Sequence, residues 1–301
     1  MTSRLTRAVA VPPWLLAVAA MSTVQLGSAL SLGLIKTVGP AGTAWLRLSI
    51  GALIFLAVAR PPLRSIRRRD VPALLGLGVT TGLQTIAFLA AIDRVALGTC
   101  VAIEFLGPLT VAAVRSHSKR ALAWPALALS GVLLLTEPWH GSFDPAGVGL
   151  AALSGVGWAV YILLTQHVGD HFDGITGLSL TVPVAALTAA TMGVPQALGH
   201  LSFGTIATAA GLALLLPVLP YALEMLALRR MKPAAFGTLM ALEPAFGVLL
   251  GLLVLHQTPA ALQIAGITLV VIAGAAAQRG GLRQRPAAEP ADLPPDLVAF
   301  Q

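Results

Sequence analysis

Charged side chains are scarce in this sequence. Asp, Glu, Lys and Arg make up only 10% of its 301 residues, whereas hydrophobic residues make up 56%. A soluble globular domain carries about 25% charged residues, because its folded surface has to be hydrated. The deficit excludes an ordinary soluble domain and predicts a protein whose outer surface faces lipid. Aromatic residues are also scarce, at 5%, so the apolar bulk is aliphatic and small, which suits helices that pack closely within a bilayer.

Several functional classes lack the residues they need. The single cysteine, Cys100, lies in an apolar segment, which excludes an intramolecular disulfide and predicts a small buried hydrophobic side chain. The sequence contains no nucleotide-binding loop, so the chain does not by itself drive transport with ATP. His167 and His171 have the spacing of helical metal ligands, but no third ligand accompanies them, so we predict no metal site and no cofactor. No catalytic constellation is apparent, which argues against an enzyme.

What the sequence does contain is a series of apolar segments. A helix needs about 20 apolar residues to cross the hydrocarbon core of a bilayer. Ten segments approach or exceed this length, and short connections rich in Pro, Gly and charge separate them. The sequence therefore predicts an all-α integral membrane protein with ten transmembrane helices and no soluble domain. The predicted spans are 13–35, 41–59, 71–92, 96–114, 121–137, 146–165, 174–192, 203–228, 233–255 and 259–277.

Basic residues fall mainly on one side of these spans. If the N-terminal segment 1–12 faces the cytoplasm, sixteen Lys and Arg residues lie in cytoplasmic segments and only Lys36 and Arg94 lie on the opposite side. This excess follows the positive-inside rule, so both termini are predicted to be cytoplasmic. The same distribution explains the net charge of +7 without nucleic acid as a partner. The polar, proline-rich residues 278–301 are predicted to form a disordered cytoplasmic tail.

One nine-residue motif occurs twice. Ala96-Leu-Gly-Thr-Cys-Val-Ala-Ile-Glu104 and Ala235-Phe-Gly-Thr-Leu-Met-Ala-Leu-Glu243 share five of nine residues at an offset of 139. The copies lie in the fourth and ninth predicted spans and therefore cross the bilayer in opposite directions. We predict two inverted five-helix repeats, 13–137 and 146–277; the alternative is chance similarity between Ala- and Leu-rich helices. Substrate sites in inverted-repeat carriers lie near the midplane, where the repeats meet.

Each copy of the motif ends in a glutamate. At about 1.5 Å per residue, Glu104 and Glu243 lie roughly 12–15 Å from the N-terminal ends of their spans, which face opposite sides of the membrane, so both lie near the middle of a core of about 30 Å. Pro108 and Pro244 follow them, and each proline removes a backbone hydrogen-bond donor. A carboxyl group beside a loosened helix suits binding of an ammonium group or transfer of a proton. The alternative is a structural hydrogen bond to a neighbouring helix.

Other polar residues within the spans are weaker candidates. Arg47 suits bidentate binding of a substrate carboxylate, but it could also extend to the interface or pair with Glu104. Glu224 lies about one turn from Arg229 and Arg230, so an interfacial ion pair and a cavity role fit its position equally well. The remaining candidates are neutral or amphipathic residues that could serve as substrate ligands or as helix–helix hydrogen-bond partners: Gln25, Gln84, Trp158, Tyr161 and Tyr221.

These features together resemble a known family. The paired motifs, the Arg-Leu pair of the second span, Val101-Ala-Ile-Glu-Phe-Leu-Gly-Pro-Leu109, Trp158-Ala-Val-Tyr-Ile162 and Leu219-Pro-Tyr-Ala-Leu-Glu-Met225 are similar to the EamA-type drug/metabolite transporter superfamily, and within it to the bacterial threonine/homoserine exporter branch. The resemblance extends over about residues 13–277 and omits the proline-rich tail. It implies an inner-membrane exporter of small amino acids, driven by proton exchange, with a central cavity between the two halves.

The functional hypothesis follows from the residues and the resemblance together. An amino acid carries one ammonium and one carboxylate group, which matches a cavity with both acidic and basic side chains. We therefore expect a secondary exporter of small neutral amino acids such as threonine or homoserine, with protons as the coupling ion. The alternative is a carrier of the same fold for a cation, a drug or a nucleotide-sugar. The sequence does not indicate an oligomeric state.

Overall fold

The structure, a computed structural model, describes residues 12–61, 68, 70–115, 119–138, 144–168, 174–231 and 233–280, and no strand occurs among them. A short 3₁₀ turn, Lys119–Leu122, precedes α4, and a π-helical segment, Leu214–Val218, joins α7 to α8. The α-helices within the described ranges are α1 Pro13–Ala59, α2 Val71–Ile92, α3 Leu97–Arg115, α4 Ala123–Thr136, α5 Pro145–Val168, α6 Gly174–Ala197, α7 Phe203–Ala213, α8 Leu219–Leu228, α9 Pro233–Met240, α10 Glu243–Leu255 and α11 Ala261–Gly280.

Seven stretches of the described helices are long and apolar enough to cross a membrane. Two further apolar helices, Ala123–Thr136 and Ala261–Ala277, are shorter. Large aliphatic side chains such as Leu53, Leu187 and Leu253 are exposed on the outer surface, as expected where the surrounding solvent is lipid. The predicted all-α membrane class is confirmed. The seven stretches are Pro13–Ala59, Val71–Ile92, Leu97–Arg115, Pro145–Thr165, Ile175–Ala197, Phe203–Leu228 and Ala235–Leu255.

α1 contains a sharp bend. Its 47 residues would extend about 70 Å at 1.5 Å per residue, more than twice the thickness of a hydrocarbon core. Gly39 has φ 74° and ψ 168°, a conformation that glycine adopts without steric penalty, and Pro40 follows it. Gln196 of α6 accepts hydrogen bonds through Oε1 from the backbone N–H groups of Ala41 and Gly42, at 3.0 and 3.2 Å. The bend lies in the gap predicted between the first two spans, and the glutamine satisfies donors that the interrupted helix leaves free.

Proline interrupts two of the spans that were predicted to be continuous. Leu216 is extended (φ −158°, ψ 111°) and precedes Pro217, so the eighth predicted span consists of α7, the 214–218 segment and α8. The ninth is divided where α9 ends at Met240 and α10 begins at Glu243, directly before Pro244. Proline has no backbone N–H and clashes with the preceding helical turn, which explains both interruptions.

Three helices extend at least three residues beyond their predicted ends. α5 continues to Val168 instead of ending at 165. α6 continues to Ala197 instead of ending at 192, and it packs closely against the segment that follows the α1 bend: a Cβ at Gly193 would lie 2.4 Å from the Ala41 carbonyl oxygen. α11 continues to Gly280, three residues into the stretch that was predicted to be disordered. Residues 1–11 and 281–301, which make up most of the two predicted terminal segments, lie outside the described residues.

Helices α1–α4, the first part of the chain, pack against helices α5–α11, the second part. α1 contacts α6, α7, α8 and α10, whereas α2 packs against α5 and α6. α3 lies between α5 and α10, and α4 packs against α11. The largest buried cluster contains Leu89, Leu97 and Val101 together with side chains of α1, α5 and α6. The core is therefore formed by both parts of the chain together.

Glycines allow several of these helices to approach closely. A Cβ atom at Gly107 of α3 would lie 2.0 Å from the carbonyl oxygen of Gly155 in α5. Gly131 of α4 and Gly266 of α11 face each other in the same way, since a Cβ on either would lie 2.5 Å from the carbonyl oxygen of the other. Small residues at helix crossings bring backbones into contact where lipid offers no hydrophobic drive for association.

Gly107→Ala should destabilise the protein, because the new methyl group has no room against the backbone of Gly155. We expect a loss of about 1–3 kcal/mol in the free energy of unfolding, the usual range for overpacking of a dense interior. Denaturant or thermal unfolding of the purified protein in detergent measures this loss. Gly149→Ala in α5 is the matched control, since a Cβ there meets nothing within 4 Å. Equal stability of the two variants would contradict the close approach of α3 and α5.

An ion pair joins the α2–α3 connection to the start of α5. Arg94 Nη1 lies 3.3 Å from Asp144 Oδ2, while Asp144 Oδ1 accepts hydrogen bonds from the backbone N–H groups of Gly147 and Ala146, at 3.0 and 2.9 Å. The Gly147 N–H, with smaller contributions from Arg94 and Ala146, holds the pKa of Asp144 below its usual value. Asp144 therefore serves as the capping residue of α5 as well as an ion-pair partner.

This lowered pKa predicts the sign of a pH effect. The ionised form of Asp144 stabilises the folded protein above the pKa that Asp has in an unfolded chain, about 3.9, and the stabilisation is lost as the pH falls through the lower folded-state value. Asp144→Asn should therefore be less stable than the wild type at neutral pH, and the difference should shrink on acidification. Thermal unfolding of both proteins from neutral pH to about pH 3 tests this. A difference that does not change with pH would argue against it.

Candidate functional site

A cavity of about 280 Å³ lies between the helices. Its wall is formed by α1, α2, α3, α5, α6 and α10 and by the 214–218 segment. Two residues proposed from the sequence, Tyr221 and Glu224, do not line it. The other proposed residues do: Gln25, Arg47, Gln84, Glu104, Trp158, Tyr161 and Glu243.

α3 carries Glu104 into the wall of this cavity, where the residue is 8% exposed. Its Oε1 accepts a hydrogen bond from Gln84 Nε2 at 3.2 Å and another from the hydroxyl group of Ser154. Ser154 comes within reach because α3 and α5 nearly touch at Gly155, where a Cβ would lie 3.0 Å from the Glu104 carbonyl oxygen. Donors from two other helices thus hold one oxygen of this carboxyl group.

Glu243 is the first residue of α10 and follows the break after α9. It is 6% exposed. Its Oε1 lies 3.5 Å from Nε2 of Gln25 in α1, the upper limit for a hydrogen bond. Its Oε2 is buried and has no hydrogen-bond partner within the described part of the chain. Gln25 Oε1 is also buried and has no partner there. The carboxyl group of Glu243 is therefore less well satisfied than that of Glu104.

Arg47 is buried on the cavity side of α1, at 4% exposure. Its Nη1 donates a hydrogen bond to the hydroxyl oxygen of Ser31 at 2.9 Å, and Ser31 in turn donates to the Gly27 carbonyl oxygen at 2.6 Å. Arg47 Nε is buried without a hydrogen-bond partner in the described ranges. Of the three alternatives that the sequence allowed, extension to the interface does not occur, and the bonded partner is Ser31 and not Glu104.

Tyr221 and Glu224 lie on α8, outside the cavity wall. The Tyr221 ring packs edge-on against Phe55, with ring centroids 6.0 Å apart and an interplanar angle of 89°. Glu224 is close enough to interact electrostatically with Tyr161, Tyr221 and Glu243. Arg229 and Arg230 are exposed on the surface, and among the described residues neither forms an ion pair with Glu224, which was one of the two alternatives for this residue. Glu224 thus belongs to the surroundings of the cavity.

Trp158, Tyr161 and Ser154 occupy one face of α5. Trp158 and Tyr161 line the cavity, and the Trp158 ring packs against Phe105 with centroids 6.2 Å apart. Sequence reasoning missed Ser154, although it lies four residues before Trp158 and seven before Tyr161, a spacing that predicts a common helix face. It also missed Ser31, for which no local signal exists, since Ser31 and Arg47 lie on opposite sides of the Gly39 bend.

The chemistry of the cavity is that of a small polar ligand. Two carboxyl groups, a guanidinium group and two amides lie in an otherwise mostly apolar wall. Ionisable side chains are costly inside a membrane and usually face a substrate or ion pathway. No group of three or more His, Cys, Asp or Glu within the described ranges is placed to hold a metal; His171 and the side chain of His167 lie outside those ranges. A bundle of membrane helices around such a cavity defines a transporter.

Comparison with known proteins gives the family. The model of the EamA-like transporter family matches residues 145–276. The chain is 36% identical over 271 residues to the threonine/homoserine exporter RhtA of Salmonella typhimurium, an alignment that covers 87% of this chain and 89% of the relative. It is 35% identical over 275 residues to RhtA of Escherichia coli strain K12, with coverage of 87% and 90%. The chain belongs to the EamA-like transporter family.

The comparisons also bear on the fold and the class of protein. A solved crystal structure that is 18% identical superposes with a TM-score of 0.60 and covers 88% of this chain and 98% of its own, which shows a shared fold. The bacterial relatives are transporters and not enzymes. Together with the apolar helices, they identify this chain as a multi-pass transporter of the inner membrane. The family resemblance derived from the motifs is confirmed.

Proposed function

We propose that this protein exports small neutral amino acids of the threonine/homoserine type across the inner membrane in exchange for protons. The observation that carries the proposal is that Glu104, Glu243 and Arg47 line the same cavity. A zwitterionic amino acid presents one positive and one negative group, and this wall offers a partner for each. The relatives named as threonine/homoserine exporters support the same substrate class.

The size of the cavity favours this substrate over the alternatives. Pockets for drug-sized ligands measure about 300–1,000 Å³, whereas this cavity measures about 280 Å³. A nucleotide-sugar is larger than a typical drug and does not fit this volume. A simple cation offers no negative group to the buried guanidinium group of Arg47, whereas the carboxylate of an amino acid does.

The helix packing supports ten spans in two inverted repeats. The bend at Gly39 divides α1 into two spans, whereas α7 with α8 and α9 with α10 each make one. If the halves are related by this repeat, the α3–α5 contact corresponds to the α10–α1 contact, and both contacts occur. Both also carry a glutamate bond, from Ser154 to Glu104 and from Gln25 to Glu243. The α2–α5 contact likewise corresponds to the α8–α1 contact.

In this arrangement, transport proceeds by movement of the two halves around a fixed central site. Both termini face the cytoplasm, in keeping with the excess of Lys and Arg in the segments on that side. Amino acid enters the cavity from the cytoplasm and leaves on the other side, and a proton bound at Glu104 or Glu243 makes the return movement. Protons move inward as the amino acid moves outward.

Efflux from proteoliposomes tests the proposal. Vesicles with purified protein and internal labelled threonine or homoserine should release it faster than protein-free vesicles, and external acidification should accelerate the release. A labelled quaternary ammonium cation and a nucleotide-sugar serve as alternative substrates. Release of neither amino acid above the protein-free control would contradict the substrate class. Release that does not respond to a pH gradient would contradict proton exchange.

Arg47→Gln should weaken recognition of the substrate carboxylate. Loss of a hydrogen bond to a charged group corresponds to about 1.5–3 kcal/mol, so the concentration for half-maximal exchange should rise about 10- to 150-fold. Threonine amide, which lacks the carboxylate, should bind weakly to the wild type and be affected little by the substitution. Arg115→Gln at the exposed end of α3 is the matched control. An equal effect of Arg47→Gln on threonine and its amide would assign Arg47 a structural role.

A further inference from the structure

The two glutamates of the repeated motif have different surroundings. Glu104 Oε1 accepts two hydrogen bonds, from Gln84 and Ser154. Glu243 Oε1 has one contact, with Gln25, at 3.5 Å, and Glu243 Oε2 is buried without a hydrogen-bond partner among the described residues. Residues that are equivalent in sequence thus differ in how well the protein stabilises a negative charge on them.

The surroundings of the two glutamates favour one negative charge on the pair, located on Glu104. Hydrogen-bond donors directed at a carboxyl group stabilise its ionised form, whereas a buried oxygen without a donor disfavours it. The carboxyl groups of Glu104 and Glu224 face Glu243 electrostatically from α3 and α8, Gln25 faces it from α1, and Arg47 lines the same cavity. A second negative charge at Glu243 is therefore opposed by two nearby acidic groups. The position of Glu243 in the first turn of α10 still makes its ionised form accessible when a compensating charge arrives.

We propose that the two glutamates divide the work of transport: Glu104 remains ionised and binds the ammonium group of the substrate, and Glu243 carries the exchanged proton. This inference rests on the proposed function. The loose contact with Gln25 allows Glu243 to change its protonation state, because the Gln25 amide can donate to the ionised carboxyl group or accept from the protonated one. Glu104, in contrast, is held by two donors, Ser154 and Gln84, which stabilise its ionised form.

The division of roles explains coupling. An ammonium group bound at Glu104 places a positive charge near Glu243 and so favours ionisation of Glu243. The O–H bond of Glu243 then breaks, and its proton passes to water on the cytoplasmic side. After the amino acid leaves on the opposite side, Glu243 takes a proton from water there and the O–H bond forms again. By linkage, a substrate that promotes proton release must itself bind more weakly when the proton is bound.

Two assays on reconstituted full-length protein separate the roles. Exchange of labelled for unlabelled threonine across the vesicle membrane needs substrate binding but no net proton transfer. Efflux driven by a pH gradient needs both. Glu243→Gln is an isosteric mimic of the protonated glutamate, so it should bind threonine with the weaker affinity that the wild type has at low pH. At saturating threonine it should retain exchange within about twofold of the wild type, and it should lose acceleration of efflux by external acid. The substrate affinity of this variant should not depend on pH, whereas the wild type should bind substrate more weakly as the pH falls.

Glu104→Gln should lose substrate binding itself. Because it removes the charge that binds the ammonium group, its substrate affinity should fall by about tenfold or more, and both exchange and driven efflux should be lost at ordinary substrate concentrations. Glu137→Gln, at the end of α4 and outside the cavity, is the matched acidic control and should change neither assay. Gel filtration in detergent checks that each variant is monodisperse.

A milder variant keeps the inference testable if Glu104→Gln does not fold. Ser154→Ala leaves both carboxyl groups in place and removes one donor to Glu104, so it should weaken substrate affinity while efflux still responds to pH. The inference is overturned if Glu243→Gln and Glu104→Gln lose exchange equally, if their roles are reversed, or if Ser154→Ala abolishes the pH response and leaves affinity unchanged. Absence of threonine and homoserine exchange in the wild type would instead overturn the proposed function.

Discussion

The core of a bilayer offers no water to a polar group, so the protein itself, or the contents of a cavity, must satisfy each buried polar atom. Here this constraint applies to three ionisable side chains, Glu104, Glu243 and Arg47, which line the same cavity. Their partners come from other helices or, for Arg47, from the far side of the bend in α1. Displacement of α3 from α2 or α5, or of α10 from α1, would therefore separate a carboxyl group from its partner.

Close backbone contact is what makes these partnerships geometrically possible. Ser154 has a short side chain, and it reaches Glu104 because Gly107 and Gly155 let α3 and α5 approach without an intervening methyl group. Interruptions of helices serve the same end elsewhere. The break before α10 sets Glu243 at a helix start, and the Gly39 bend returns α1 so that Arg47 meets Ser31. Packing with small residues and local loss of helical structure are thus two means of satisfying charge within lipid.

The range of each interaction explains what the sequence could predict. Composition and apolar length report on the surrounding solvent, so the membrane class and most helix limits could be predicted from the sequence. A charge within an apolar segment signals a buried role, which identified Arg47 and the glutamates but not their partners. Proline is visible in the sequence, yet Pro217 interrupts a helix and Pro108 lies within continuous α3; the difference depends on neighbouring helices. Leu216 precedes Pro217, so its extended conformation is one that the sequence favours. The position of Glu224 outside the cavity wall depends on how α8 packs, which no local pattern indicates.

The repeated motif determines where two acidic groups lie but not what each can do. That depends on the helix packed against each copy. α5 contributes a hydroxyl group that bonds directly to Glu104, whereas α1 contributes the longer amide of Gln25 at the limit of bonding distance from Glu243. Hydrogen bonds to an ionised carboxyl group are stronger than those to a neutral one, so protonation of a carboxyl group that holds two donors carries a penalty. A loosely bonded carboxyl group carries no such penalty. The two glutamates of the motif thus meet different donors: a hydroxyl group and an amide at Glu104, and a single amide at the limit of bonding distance at Glu243.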